Sequence, residues 1–319
     1  MKNNNRRTVF VLLLTLMLFA MFVIPLATAP NIDGPNFKNV TVITKVNITN
    51  AKPEVLSVNV YPDTSISNIS NRNVTINAGL TKTVYCNATV RDWNGFNDII
   101  MANATLWNMQ NTTFNSTVIN NNSYYINSTC YLNASTGTFT GHYACGFDVY
   151  YYANNGTWNC TFQVMDNFNK SGSGANTTFF YPLYALNVTD GIDYGSMAVE
   201  ETSQDFTANI TNLGNRDINI TVQSYARFIG DGLAMNCTIQ GNISAENQRF
   251  GTAAGMAYTS KTPVNGTSPT SIGNLTVGKQ TVAGSPVINT TYWQLYIPPN
   301  PAGNCSGFII FTATTSINP

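Results

Sequence analysis

The sequence predicts an all-β chain, two tandem antiparallel β-sandwiches behind an N-terminal signal or anchor helix. Three observations predict it. Apolar and polar residues alternate with a period of two almost throughout, turn clusters such as "WNG", "NNG" and "LGN" punctuate the alternation, and nothing after residue 30 keeps a helical stripe for three turns. Short strands between tight turns pack as two-layer sandwiches rather than as one broad sheet.

Taken in order, residues 1–29 are targeting sequence. "MKNNNRR" is a basic n-region, "TVFVLLLTLMLFAMFVIPLA" an apolar run, and "ATA" (27–29) a small-residue cleavage site behind Pro25. The run approaches the roughly 20 residues that span a bilayer, so the segment reads either as a cleaved signal or as an N-terminal anchor, the only membrane contact expected. Both send the rest of the chain outwards, because Arg6 and Arg7 stay inside. Residues 30–50 follow as an N-terminal strand or linker. Within them "NVTVITKVNITN" (39–50) has strand character and ends at the break "AKP". It either pairs in its own domain, serves as a stalk, or adds to a neighbour's sheet by donor-strand exchange.

The first sandwich is expected over 51–181, from strands such as "VLSVNVYP", "TVYCNATV" and "WNCTFQV". The second is expected over 182–319, from "DFTANITN", "DINITVQSY", "YWQLYIP" and "GFIIFTAT". The break is placed near "SGSGANTTFFYPLYALNV", where Gly and Ser give way to an aromatic strand. The Gly- and Thr-rich excursion over 251–286 is compatible with a binding loop, a long Greek-key connection or a mobile flap.

Charged residues make up 9% of the chain, 15 basic against 15 acidic, where ordinary soluble domains carry roughly 25%. No field exists to hold nucleic acid, and solubility has to come from neutral groups. About two dozen Asn-x-Ser/Thr acceptors run along the chain, where composition predicts roughly nine. Candidate glycosylation sites include Asn103, Asn111, Asn115, Asn127, Asn133, Asn209, Asn219 and Asn289. Attached sugar would solubilise the surface and keep strand edges from pairing.

Catalytic material is sparse. His142 is the one imidazole, and G-x-S-x-G, H-E-x-x-H and P-loop patterns are missing. Asp92 with Asp166, or Glu200 with Glu201, supplies a carboxylate pair of the kind glycosidases use. Turn and edge roles explain these acids equally well, and no enzyme is expected. The run Tyr150, Tyr151, Tyr152 cannot all face one core from a strand of period two. It points either to a contact between domains or subunits, or to a carbohydrate-binding surface.

Two stretches, "VYCNATVRDWNGFNDI" and "GTWNCTFQVMDNFN", are similar to immunoglobulin-like repeats with a V-x-D-x-N-G turn. Further on, "ITNLGNRDINITV" and "YWQLYIPPNPAGNCSGFIIFTAT" look like surface β-domains with a T-N-x-G-N hairpin. The chain thus resembles archaeal extracytoplasmic β-sandwich proteins of the cell surface, including those associated with S-layers. The resemblance implies an envelope location, a structural or adhesive job, and partners among other surface proteins, further copies of the chain, or glycans.

An even cysteine count in an exported chain, with no C-x-x-C, reads as three disulfides. Cys86 and Cys160 share the context C-x-x-x-V-x-D, and Trp158 stands where immunoglobulin-like domains carry a corner tyrosine. The resemblance therefore pairs Cys86 with Cys160 as the bridge between strands B and F. Cys130 then joins Cys145 across a local hairpin, and Cys237 joins Cys305. Strands B and F of such a sandwich run in the same direction, so Asp92 and Asp166, each six residues past its cysteine, meet at one end. With Asn94, Asn97, Asp98, Asn167 and Asn169 nearby, they offer the hard oxygens that Ca²⁺ takes. Calcium is the only cofactor in view; its candidate ligands are Asp92, Asn94, Asp98, Asp166 and Asn169. The alternative is turn capping by the same residues.

Overall fold

A computed structural model of the chain describes residues 41–62, 72–117 and 120–315. The signal or anchor segment 1–29 lies outside the described residues. Among those described, no helix is long and apolar enough to cross a membrane. The chain divides into two units, Met1–Thr49 and Asn50–Pro319.

In the first unit, residues 41–49 form no strand, against the strand character of their sequence. A strand needs a ladder partner to satisfy its backbone, and an isolated one is not stable in water. Val42, Ile43, Val46 and Ile48 are left 74 to 82% exposed.

The second unit is all-β and antiparallel, as the periodicity predicts. Its first eight strands are β1 (Glu54–Tyr61), β2 (Thr81–Arg91), β3 (Ile99–Asn108), β4 (Tyr124–Asn127), β5 (Tyr131–Thr136), β6 (Thr140–Tyr150), β7 (Gly156–Asp166) and β8 (Ser171–Phe180). They form two sheets, ordered β1-β2-β6-β5 and β4-β3-β7-β8. Lettered A to G in chain order with β4 as C′, this is A-B-E-D facing C′-C-F-G, the immunoglobulin arrangement. Alternation builds the layer between them: β7 buries every second residue from Gly156 to Asp166, and β2 sends in Val84, Cys86, Ala88 and Val90.

The Cys86–Cys160 disulfide joins β2 to β7 across that layer. Trp158 is fully buried, stacks on Phe180 at 4.7 Å between ring centroids, and donates its Nε1 hydrogen to the Asn154 carbonyl at 2.7 Å. An indole here makes the backbone bond that a corner tyrosine makes in immunoglobulin domains. Cys130–Cys145 ties the start of β5 to β6.

The Gly-Ser stretch at the end of the first expected sandwich is strand β8, which ends at Phe180. Its glycines admit the opposite edge of the sandwich: a Cβ on Gly172 would sit 2.2 Å from the Pro53 carbonyl oxygen, and one on Gly174 2.7 Å from Val55. Small residues there serve close packing.

The remaining strands are β9 (Leu186–Val188), β10 (Phe206–Asn212), β11 (Ile218–Tyr225), β12 (Leu233–Cys237), β13 (Asn242–Ser244), β14 (Gln248–Gly251), β15 (Thr262–Pro263), β16 (Thr270–Val277), β17 (Ile288–Leu295), β18 (Cys305–Ser306) and β19 (Phe308–Thr315). A five-stranded sheet, β15-β14-β17-β10-β9, and a three-stranded sheet, β16-β11-β19, enclose a second core around Trp293, Phe250, Ile210, Ile218 and Ile220. The ribbon β13-β12-β18 carries the Cys237–Cys305 disulfide between paired neighbours. Residues 251–286 are a structured crossing, giving β15 to one sheet and β16 to the other and burying Val264, Ile272 and Val277.

The two cores meet at a polar junction built by the "TNLGN" turn. Asn215 accepts from the Leu183 amide at 2.7 Å and donates to the Tyr181 carbonyl at 3.1 Å, while Gly79 donates its amide to the Leu213 carbonyl at 3.1 Å. Tyr151 reaches Gln280 through its hydroxyl, and Lys279 bonds the Tyr152 carbonyl and Asn154. Tyr151 and Tyr152 are buried, and Tyr150, half-buried, stacks on Tyr152 at 5.2 Å between ring centroids.

Candidate metal centre

Strands β2 and β7 end side by side, and each hands its last inward position to an aspartate. Past Arg91 the chain turns through "DWNG". The Asp92 Oδ1 accepts the Asn94 amide at 2.8 Å, and Gly95, at φ 119°, takes the reversal that L side chains resist. One turn of 3₁₀ helix, Phe96–Asp98, then presents Asp98. At the end of β7 the Asp166 Oδ1 accepts the amides of Phe168 and Lys170, both at 2.8 Å. The Asn167 amide bonds the Asp98 carbonyl at 3.0 Å, lashing the two loops together.

Carboxylate oxygens of Asp92, Asp98 and Asp166 lie within 4.8 Å of one another. Asp92 and Asp166 are fully buried. A fourth residue enters from the start of the sandwich: Asn50 donates its Nδ2 hydrogen to the Asp166 Oδ2 at 2.7 Å. Three oxygens here are buried without a hydrogen-bond donor, namely Asp92 Oδ2, Asp98 Oδ2 and Asn50 Oδ1. Among the described residues the ion pairs are Arg91–Glu54 and Lys261–Asp205, so no basic side chain neutralises the cluster. Arg91 turns outward to Glu54 and over the ring of Trp93. Burial pushes the Asp92 carboxyl above the ordinary carboxylate range, the Asn94 amide opposes this, and the charges of Asp98 and Asp166 add to it.

The structure thus brings together Asp92, Asp98 and Asp166 of the sequence-predicted set. It engages Asn94 elsewhere, its Oδ1 accepting the Ala51 amide at 2.6 Å. Asn169 occupies a left-handed turn position, φ 61°, and is exposed; the side chain supports the reversal that returns the chain to β8. Asn97 and Asn167 are exposed as well. Asn50 was missed because it lies 42 positions before Asp92 in the numbering, in a stretch whose local pattern points only to a linker.

Other sequence candidates lie elsewhere. His142 faces the hydroxyls of Thr89 and Thr136 at 3.2 and 2.9 Å, in a shallow polar dish on the outer face of the β1-β2-β6-β5 sheet. Glu201 caps a turn by accepting the Ala198 amide at 2.7 Å, with Glu200 exposed beside it. Full burial of Asp92 and Asp166 leaves a sugar ring no approach to that carboxylate pair. The candidate acceptors Asn111, Asn115 and Asn209 are exposed, and Asn103, Asn127, Asn133, Asn219 and Asn289 are half-buried.

No protein-family model matches the chain, and no curated protein matches it. Among solved structures, the chain is similar to a chaperone-tip adhesin complex of CFA/I fimbriae biogenesis (10% identity over 81% of this chain and 84% of that one, TM-score 0.30). It is also similar to the C-terminal domain of the Streptococcus agalactiae AgI/II polypeptide BspA (11%, 82% and 100%, TM-score 0.21). A third likeness is to the C-terminal domain of the Streptococcus pyogenes antigen I/II-family protein AspA (10%, 83% and 100%, TM-score 0.23). All three scores lie under one half, and no functional argument is carried across from them.

Proposed function

We propose that this chain is an exported, N-glycosylated, disulfide-stapled protein of the cell surface with a structural or adhesive role. The observation that carries the reading is the placement and direction of its Asn-x-Ser/Thr triplets. Every such Asn whose burial is described lies at least partly exposed, whereas the buried asparagines, Asn108, Asn212 and Asn215, begin no triplet. Strand geometry explains part of this. In the triplets at Asn87, Asn209 and Asn219 the middle residue, Ala88, Ile210 or Ile220, enters the core, so its two neighbours face outward together.

Strand geometry has no preferred direction, however, and the reverse order Ser/Thr-x-Asn occurs only at Ser57, Thr75, Thr113, Thr157, Thr207 and Ser316. An excess in one direction is what a glycosyltransferase reading Asn-x-Ser/Thr would select. Three disulfides support the same oxidising, extracytoplasmic compartment.

Mass spectrometry of the protein from its native envelope, before and after deglycosylation, tests this. Glycan is expected on the exposed loop at Asn111 and Asn115. Occupancy should be lowest at Asn127 and Asn176, whose Nδ2 groups donate to the carbonyls of Gly146 and Val58, each at 2.7 Å. A bare chain would overturn the reading.

A second reading, a subunit of a surface filament assembled by donor-strand exchange, has its own observation. Residues 41–49 are unpaired and expose Val42, Val46 and Ile48, which alternate on one face of an extended chain. In the second unit, edge strands β9 and β19 flank a groove of about 410 Å³ lined by Leu186, Val188, Ile192, Met235, Phe308 and Phe311. The occupant we assign is residues 41–49 of another copy, whose backbone would pair with these free edges. Val46→Asp combined with Ile48→Asp should abolish filaments seen by electron microscopy while leaving monomer folding intact; unchanged filaments would sink the idea.

A further inference from the structure

We infer that the Asp92, Asp98 and Asp166 cluster, completed by Asn50, is a Ca²⁺ site that fixes the entry of the chain into the first sandwich. The inference is independent of glycosylation and of assembly.

Three carboxylates converge within 4.8 Å with no cation beside them. Left so, they repel one another in a setting where Asp92 and Asp166 are buried and the repulsion is weakly screened. The stronger indication is the state of the individual oxygens. Buried acceptors in folded proteins nearly always have a donor, yet Asp92 Oδ2, Asp98 Oδ2 and Asn50 Oδ1 have none. The Asp92 and Asn50 side chains are meanwhile held in place by other bonds. Asp92 uses Oδ1 on the Asn94 amide, and Asn50 spends its amide hydrogens on Asp166 and on the Ala51 carbonyl at 2.9 Å. The geometry orients the ligand atoms and leaves their lone pairs free.

The donor set selects the ion. All candidate ligands are oxygen and no His or Cys stands in the cluster, which disfavours zinc and copper. A charge of three carboxylates with an amide carbonyl, on two loops and the segment before β1, suits the larger and more tolerant Ca²⁺ sphere better than the strict octahedron of Mg²⁺. Solvent would complete the six to eight oxygens that Ca²⁺ takes. The consequence is mechanical. One ion would tie the ends of β2 and β7 and the 3₁₀ turn to Asn50, where the sandwich begins.

The test uses the full-length protein, with CaCl2 and with EDTA, followed by thermal unfolding and by Tb³⁺ luminescence, for which Trp93 beside Asp92 is the antenna. Ca²⁺ is expected to raise Tm by several degrees, Mg²⁺ at equal concentration to do much less, and Ca²⁺ to displace Tb³⁺ emission. Asp98 has no side-chain hydrogen bond among the described contacts, so Asp98→Asn removes charge without removing a cap. It should weaken Ca²⁺ roughly tenfold or more, yet equal or exceed the unsubstituted protein in Tm under EDTA. Asn50→Asp should do the reverse, losing Tm in EDTA and recovering it with Ca²⁺. No Ca²⁺-dependent Tm shift together with no displaceable Tb³⁺ signal would overturn the site. So would an Asp98→Asn protein that binds Ca²⁺ unchanged.

Discussion

Lys279 carries its ammonium into the junction between the two cores, against the Tyr152 carbonyl and Asn154. Burial lowers its pKa from 10.5 to about 8; Asp217 pulls the value up again and Arg216 pushes it further down. A lysine whose folded value is depressed costs stability wherever both states hold the proton, which is below about pH 8. Between there and 10.5 the unfolded chain binds more protons than the folded one, so stability rises with pH. Tyr151 and Tyr152, pushed up by burial, stay neutral through most of that window. The expected outcome is that denaturant midpoints of the protein climb from pH 8 to 10, and that Lys279→Met flattens the climb. An unchanged slope in the variant would assign the pH dependence elsewhere. At this scale the sequence showed which residues are chemically capable but not which are engaged. Asn94 and Asn50 have the same side chain, and only the fold gives one of them the Ala51 amide and leaves the other an orphan oxygen beside Asp166.

Among the elements, the turn from β10 to β11, which carries the chain from the five-stranded sheet to the three-stranded one, does more than reverse the chain. Asn212 accepts the Gly214 amide at 2.8 Å and donates to the carbonyls of Arg216 and Val277, while Asn215 holds the connection between the cores at Tyr181 and Leu183. Gly214 lies so close to that connection that a Cβ would stand 2.1 Å from the Leu183 carbonyl oxygen. Because the obstacle is backbone, Gly214→Ala should cost at least the roughly 1–3 kcal/mol of a typical overpacking substitution. The loss should fall on the junction, so that calorimetry resolves separate transitions where the parent shows one; a single transition at unchanged Tm would contradict the role assigned to the turn. The motif "ITNLGN" was legible as a turn from its residue chemistry, but the hairpin that the resemblance implied is not formed, since β10 and β11 pair in different sheets. The motif's partner across the junction was not legible, since a contact between residues 183 and 214 leaves no trace in either local pattern. The Gly-Ser run of β8 is ambiguous in sequence for a related reason. Glycine marks flexibility and close approach with the same letter, and only the neighbouring strand β1 decides between them.

For the molecule as a whole, low charge, abundant outward Asn and Thr, and covalent bridges form one strategy. With 9% charged residues the surface has little ionic repulsion to keep copies apart, and the proposed glycans would supply that separation. The alternation of two and the turn residues determined the all-β class, a property that each short stretch carries in its own periodicity; the three disulfide pairs and the convergence of the ends of β2 and β7 were legible only through the immunoglobulin-like resemblance of the stretches around Cys86 and Cys160. What only the tertiary structure decided is where stretches distant in sequence come to share space: the completion of the aspartate cluster by Asn50, the burial of the tyrosines against Gln280, and the structured crossing of 251–286. Burial and hydrogen-bond satisfaction belong to the packed assembly, because a side chain loses its water only when residues far along the chain arrive to displace it.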